Sequence, residues 1–307
     1  MYNNNSIYVD KIQVLLEKIN KDFKKSYHTR KIVYDNLINN SKVEIAERLK
    51  DCGKYYTAFV SDLGNVELMN RCKQRFCPTC EKYSAIERYI SLSNKIKQFD
   101  KNEEYVTYHY IFTVRNCEYE KTKATIQGLN KAVAMFYRHY KISNYTRRIE
   151  LTYNENTNTF HPHIHSIAII PKGTILDCKE EKKENFIEKL SVLRKEWHGY
   201  LIKAGVEDNS INYNLVYARP LQSVNDLLEC VKYSVKPCVI TKDTIQRFTS
   251  ILKHLKLYSG HGIFRVTKEK EEENKEECKN IMQNYKLQFA FAREFDGYKL
   301  IKYVNKC

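Results

Sequence analysis

Apolar residues three and four positions apart (Ile12, Leu15, Leu16 and Ile19, then Val43, Ile45 and Leu49) predict helices between residues 6 and 50. Residues 52–80 break that period, and their Cys, Gly and short alternations read as a small irregular unit. Helical spacing returns over 82–99 through Ile86, Tyr89, Ile90 and Ile96. YVTYHYIFTV (105–114), rich in β-branched and aromatic residues, predicts a strand, and a helix follows at 121–141. IELTY (149–153), the loop NENTNT and FHPHIHSIAII (160–170) then form a hairpin. Beyond it the pattern predicts helix at 181–204, extended chain at 211–217, and helices at 222–236 and 243–256. GIFRV (262–266) and the aromatic tail from 285 add strands, and no internal repeat is visible.

These elements imply an α+β chain: a central antiparallel β-sheet flanked by helices, with a Cys-rich unit on its N-terminal side. Four segments follow: an N-terminal helical region at 1–50, the Cys-rich unit with its following helix at 51–100, the sheet domain at 101–267, and a charged segment with the tail at 268–307. KEKEEENKEECK (268–279) mixes both signs densely and reads as a solvated helix or linker.

Composition narrows the class. The chain has 307 residues, 42% of them hydrophobic, enough for a real core, and its 9 Gly and 5 Pro exclude a fibrous or low-complexity protein. No run of eighteen apolar residues predicts a transmembrane helix, and MYNNNSIYVDKIQ does not read as a signal peptide. The expectation is a cytoplasmic protein with no membrane partner and with its 10 Cys reduced. A formal charge of +15 favours a polyanionic partner, nucleic acid above all, although a Lys-rich proteome would give the same surplus. Lys21, Lys24, Lys25, Arg30 and Lys31 cluster in the N-terminal helices, as DNA contacts or as a solvated helix face.

MNRCKQRFCPTCEKY sets Cys72, Cys77 and Cys80 in a C-x4-C-x2-C run. A C-x2-C turn brings two thiolates onto one metal, and Cys52, followed by Gly53, completes a four-sulfur shell for a structural Zn²⁺. A redox dithiol is the rival reading, without the strand and helix that such a motif normally joins.

Strand side chains alternate between faces, so His161, His163 and His165 share one face and Ile167 and Ile169 continue it. Imidazoles two residues apart can reach one divalent ion. With Tyr153 paired to Phe160 across the six-residue loop, Glu150 stands opposite His163. Two or three imidazoles and a carboxylate leave open positions, which suits a catalytic ion. Partly exposed surface histidines are the alternative.

In QSVNDLLECVKYSVK (222–236), Val224, Leu227, Leu228, Val231 and Val235 form one apolar stripe. Glu229 and Tyr233 lie four apart on the other side, flanked by Lys232 and Lys236. Alone, Tyr233 would read as a solvent-facing residue on an amphipathic helix. Beside a metal site and a basic surface, it fits phosphoryl transfer on DNA, with tyrosine attacking a phosphate and lysines favouring phenolate.

The ordered set of motifs resembles the rolling-circle replication initiators of small bacterial plasmids, within the HUH endonucleases. YIFTVRN (110–116) resembles the family's first motif, HPHIH (161–165) its metal-binding motif, and ECVKYSVK (229–236) the motif that carries the nucleophile. CKQRFCPTC (72–80) resembles its upstream Cys-rich segment, and GHGIFRV (260–266) is a weaker match near its C-terminal end. The resemblance covers roughly residues 50–266. It implies a nicking domain over 101–267 that cleaves one strand at a replication origin, at a single-stranded or hairpin site, and keeps the 5′-phosphate on tyrosine. By position, His163 and His165 are ligands to Mg²⁺ or Mn²⁺, Glu150 resembles an acidic third ligand, and His161 is a ligand or supports one. Tyr233 is the nucleophile, and Glu229 activates the water or assists the second transfer. A host helicase is a possible partner. A related transposase or mobilisation relaxase shares the chemistry, although relaxases usually place the tyrosine ahead of the histidines. A zinc-containing DNA-binding regulator without catalysis is the reading from another class.

Overall fold

The computed structural model describes residues 4–62, 64–97, 99, 104–177, 183–206, 216–221, 227, 230, 231, 235, 239–265, 268–284, 286–293 and 298–305. In chain order the elements are α1 (Asn4–Asn39), α2 (Val43–Asp51), β1 (Tyr55–Ser61), β2 (Gly64–Met69), α3 (Pro78–Lys97), β3 (Tyr105–Thr113) and α4 (Tyr119–His139). The hairpin β4 (Thr146–Asn154) and β5 (Thr159–Pro171) follows, then α5 (Lys183–Lys203), β6 (Val216–Pro220), α6 (Ile245–Leu252) and β7 (Tyr258–Gly260). The chain ends in α7 (Lys268–Gln283), β8 (Leu287–Arg293) and β9 (Tyr298–Asn305).

The chain is α+β with two antiparallel sheets, each within its own unit. One unit comprises Met1–Glu81 together with Val266–Cys307, and the other is Lys82–Arg265. The first holds a four-stranded sheet in the order β2-β1-β8-β9. Residues 52–80, expected to be irregular, contain its β1–β2 hairpin, in which Tyr56 faces Met69 and Ser61 faces Gly64. The alternation in YYTAFVS is a strand signal, but β1 acquires its second neighbour only from the far end of the chain, where Tyr56 pairs with Phe291 and Ala58 with Phe289. Tyr56, Phe289 and Phe291 are fully buried and form the centre of this unit.

The second unit holds a five-stranded sheet in the order β6-β3-β5-β4-β7. Its central strand, β5, is buried from Ile164 to Ile170 because both faces are covered. On one face, Tyr110, Phe112, Ile164 and Ala168 are buried with α4 and α5, through Phe136, Tyr137 and Trp197. Phe112 lies 5.2 Å from the Phe136 ring and 4.8 Å from that of Trp197. The opposite face carries the histidines at one end and Ile167 and Ile169 at the other. There Leu92 and Ile96 of α3, together with Leu227, Cys230, Val231 and Phe264, pack on Ile167 and Ile169.

GIFRV does not form a strand. β7 ends at Gly260, and Gly262–Phe264 form a 3₁₀ turn. Gly262 has φ +58°, and a Cβ there would meet the side-chain oxygen of Asn144 at 2.1 Å. The turn drops Phe264 into the core and leaves His261 stacked on Tyr145, with ring centroids 4.3 Å apart. Arg147 Nη2 donates to His261 Nε2 at 3.0 Å, which requires a neutral imidazole. Burial, with the charges of Arg147, Lys256 and Arg265, holds His261 below its ordinary 6.5. The unfolded chain therefore takes up this proton first. The corner's contribution is complete above about pH 6.5 and is lost as pH falls through the lower folded value. His261→Gln keeps an acceptor and cannot titrate. Its urea midpoint should fall less than that of wild type between about pH 7.5 and about pH 5.5, whereas equal losses would remove His261 from the acid response.

Candidate metal centres and the face around them

The β4–β5 hairpin has the register that its loop length implies: Tyr153 opposite Phe160, and Glu150 opposite His163. Period-two alternation then puts Glu150, His163 and His165 on one face. Both imidazoles turn Nε2 toward the same carboxylate oxygen, Glu150 Oε2, at 3.1 Å from His163 and 2.9 Å from His165. The three donor atoms lie within 4.8 Å of one another. Neighbouring donors of an octahedral ion with bonds of about 2.1 Å lie about 3.0 Å apart, so this donor set fits such an ion. Burial works to raise the Glu150 carboxyl, but hydrogen bonds and charge from His163 and His165 outweigh it and hold the group well below the usual carboxylate range. Glu150 is therefore an anion facing two imidazoles, as a cation site needs.

His161 is next along the strand, its ring centroid 5.4 Å from that of His163. Its Nε2 lies 2.6 Å from Thr113 Oγ1, and it is not one of the three converging donors. Burial first, and His163 second, keep its imidazole below the ordinary value.

Three residues of this face gave no signal in the sequence reading. His109 on β3 is completely buried, with Nε2 3.1 Å from His165 Nδ1. Arg148, 2% exposed, stands on β4 opposite His165 and beside Tyr258 of β7. Arg88 of α3 holds its guanidinium 5.5 Å from the Tyr258 ring centroid and donates to the Val231 carbonyl at 3.3 Å. Burial pushes the Tyr258 phenol up to about 12, against the pull of Arg88 and Arg148. The only available signal was alternation: His109 and Arg148 fall on the histidine side of their strands once the register is known.

Glu229, Lys232, Tyr233 and Lys236 lie outside the described residues. Of the same segment, Leu227, Val231 and Val235 are buried, as the apolar stripe requires, and Cys230 is buried beside them. Leu227, Cys230 and Val231 pack on the face that carries the histidines.

The second cluster joins Cys52, Cys72, Cys77 and Cys80, all buried. Cys52 Sγ is 3.6 Å from both Cys77 and Cys80, and Cys72 is 3.6 Å from Cys80. A disulfide would set two sulfurs about 2.05 Å apart, whereas four thiolates around a tetrahedral Zn²⁺ with bonds of about 2.3 Å lie about 3.8 Å apart. The donor set fits zinc. Gly53 (φ +68°) and Lys73 (φ 55°) are left-handed, each directly after a cysteine, which folds the chain back round the sulfur. The Gln74 N–H points to Cys72 Sγ at 3.5 Å. Hydrogen bonds from Cys72, Cys77 and Cys80 hold the Cys52 thiol well below the ordinary range, while bonding to Cys52, Cys72 and Cys80, with burial, pushes Cys77 up. Cys80 is lowered as well, and Cys72 is pushed up like Cys77, so thiolates at Cys72 and Cys77 require a cation.

Residues 64–294 match a family of proteins described as replication protein (Rep_1). A protein rep from Streptococcus pneumoniae is 21% identical over 245 residues, 73% of this chain and 72% of the relative. A protein rep from Staphylococcus aureus is 25% identical, covering 46% of this chain and 63% of its own length, and one from Bacillus amyloliquefaciens is 27% identical, covering 50% and 43%. The chain thus spans less than two thirds of the latter two. No solved structure matches it significantly.

Proposed function

The chain belongs to the Rep_1 replication protein family, and from that premise we propose that it initiates plasmid replication by nicking one strand of the double-strand origin. One observation carries the reading. Glu150, His163 and His165 converge on the sheet face against which Leu227, Cys230 and Val231 pack, two residues short of Tyr233. When bound by Glu150, His163 and His165, Mg²⁺ or Mn²⁺ supplies charge against the oxygens of a scissile phosphate. Tyr233 is the nucleophile: its phenolic oxygen attacks phosphorus, the 3′-oxygen leaves as the primer hydroxyl, and the 5′-phosphate stays on tyrosine. Glu229 takes the proton from the water, or from the 3′-hydroxyl, that ends a round. Lys232 and Lys236 favour phenolate and hold the phosphate.

In this reading Lys82–Arg265, with +10 of the formal +15 charge, carries the nicking site. The Cys52–Cys72–Cys77–Cys80 cluster holds a structural Zn²⁺, and the basic N-terminal helices contribute origin contacts. A host helicase opens the duplex ahead of the free 3′ end.

The test is a denaturing gel of wild type and Tyr233→Phe with Mn²⁺ and single-stranded, hairpin and supercoiled plasmid DNA. Wild type should form a DNA-shifted band that requires metal, and the variant none. Sequencing the attached DNA identifies an origin or, for a transposase or relaxase, another target. A wild type that binds DNA and forms no adduct on any of these substrates would be a DNA-binding regulator without catalysis.

A further inference from the structure

A fully buried imidazole in a strand that otherwise reads Tyr-Val-Thr-Tyr and Tyr-Ile-Phe is costly unless it is hydrogen-bonded, and an apolar side chain would fill the position at no such cost. His109 occupies that position on β3. It pairs directly with Ile167 and is diagonal to His165 on the same face. The two rings stack at 5.4 Å and 22°, with His109 Nε2 3.1 Å from His165 Nδ1. His165 therefore uses both nitrogens: Nε2 toward the Glu150 carboxylate and Nδ1 toward His109. His163 differs, since its buried Nδ1 has no hydrogen-bond partner among the described residues.

We propose that His109 is a positioning residue that presents His165 Nε2 to the divalent ion; this rests on the metal-site reading above. The choice of histidine is explained by the two states of the neighbour. With His165 Nε2–H donating to Glu150, Nδ1 is an acceptor and needs a donor. With a cation on Nε2, the proton sits on Nδ1 and needs an acceptor. A neutral imidazole serves both by moving its own proton between its two nitrogens, with no change in net charge. A carbonyl or carboxylate serves only the second. His109 thus keeps the His165 ring in one orientation with and without the ion.

The test titrates the intact 307-residue chain, prepared with zinc, with Mn²⁺ alone, following free Mn²⁺ by electron paramagnetic resonance. His109→Phe keeps a stacking ring without nitrogens and should weaken Mn²⁺ binding by roughly 10–100-fold. His109→Gln, whose amide both donates and accepts, should stay within about threefold of wild type. A Phe variant that binds as wild type overturns the inference, as does a Gln variant as weak as Phe. Should the Phe variant show no cooperative unfolding transition, the Gln variant decides: within about threefold it upholds the role, and tenfold or weaker overturns it. His163→Ala separates the two readings. Wild type that binds no Mn²⁺, or a His163→Ala variant that binds it equally well, removes the metal site itself.

Discussion

His163→Ala is expected to slow strand cleavage by on the order of a thousandfold while leaving affinity for uncleaved DNA within about twofold. Charge stabilisation by a bound ion at a phosphoryl centre is worth several kcal/mol, and each 1.36 kcal/mol is about tenfold in rate. Loss of one of three protein donors leaves a carboxylate and a single imidazole, too few to hold the ion in place. The fold should survive, because the His163 side chain, 13% exposed, is not part of the apolar cluster around Ile167 and Ile169. His161→Ala is the internal comparison. Its Nε2 is on Thr113 and not on Glu150, so its loss should cost less than about tenfold. Initial rates at saturating DNA with Mn²⁺, beside filter binding of uncleaved DNA, measure both effects. Cleavage by His163→Ala at the wild-type rate would end the catalytic-metal reading, and an effect of His161→Ala as large as that of His163→Ala would make His161 a ligand.

Much of the candidate metal face, the convergence of Glu150, His163 and His165, was legible because period-two alternation is rigid. Once a six-residue loop closes between Tyr153 and Phe160, the opposition of Glu150 and His163 follows, and a slip of one residue would have moved every side chain to the other face. The C-x2-C spacing was legible for a similar reason, since a short turn leaves two sulfurs few places to go. What could not be read depends on partners far apart in sequence. β1 needs β8, about 230 residues later, before its alternation marks a sheet, so a local reading found only an irregular Cys-rich stretch. His109 passed as one more polar residue in a packed strand, because only the β3–β5 register brings it to His165. GIFRV has a strand's composition, but the close contact of Gly262 with Asn144 turns the chain before a ladder can extend.

With the four cysteines holding zinc as proposed, Cys77→Ser is expected to abolish zinc binding and to unfold the unit formed by Met1–Glu81 and Val266–Cys307. The knuckle is where the distant segments of that unit meet. Arg30 of α1 and Arg293 of β8, 263 positions apart, both donate to the Cys52 carbonyl at 2.9 Å. The Tyr298 hydroxyl of β9 donates to the Gly53 carbonyl, and Gly53 N–H donates to Asn70 O at 2.7 Å. The four-stranded sheet leaves Tyr55, Leu68 and Ile301 substantially exposed, so its apolar core is modest. A structural zinc contributes about 10–16 kcal/mol in small zinc modules, comparable to the roughly 5–15 kcal/mol that separates a whole domain from its unfolded state. Removing one thiolate leaves three sulfurs crowded around a site that cannot close, and the carbonyl contacts of Arg30 and Arg293 lose their anchor. Hydrogen exchange of the intact chain should show protection lost in β1 and β8 and retained in β3 and β5, with bound zinc falling from one equivalent to none. Cys278→Ser, at an exposed position on α7, should change stability by no more than about 0.5 kcal/mol. Full protection of β1 and β8 in metal-free Cys77→Ser would mean that the sheet stands on its own packing, and the four cysteines would then need a role other than holding this unit together.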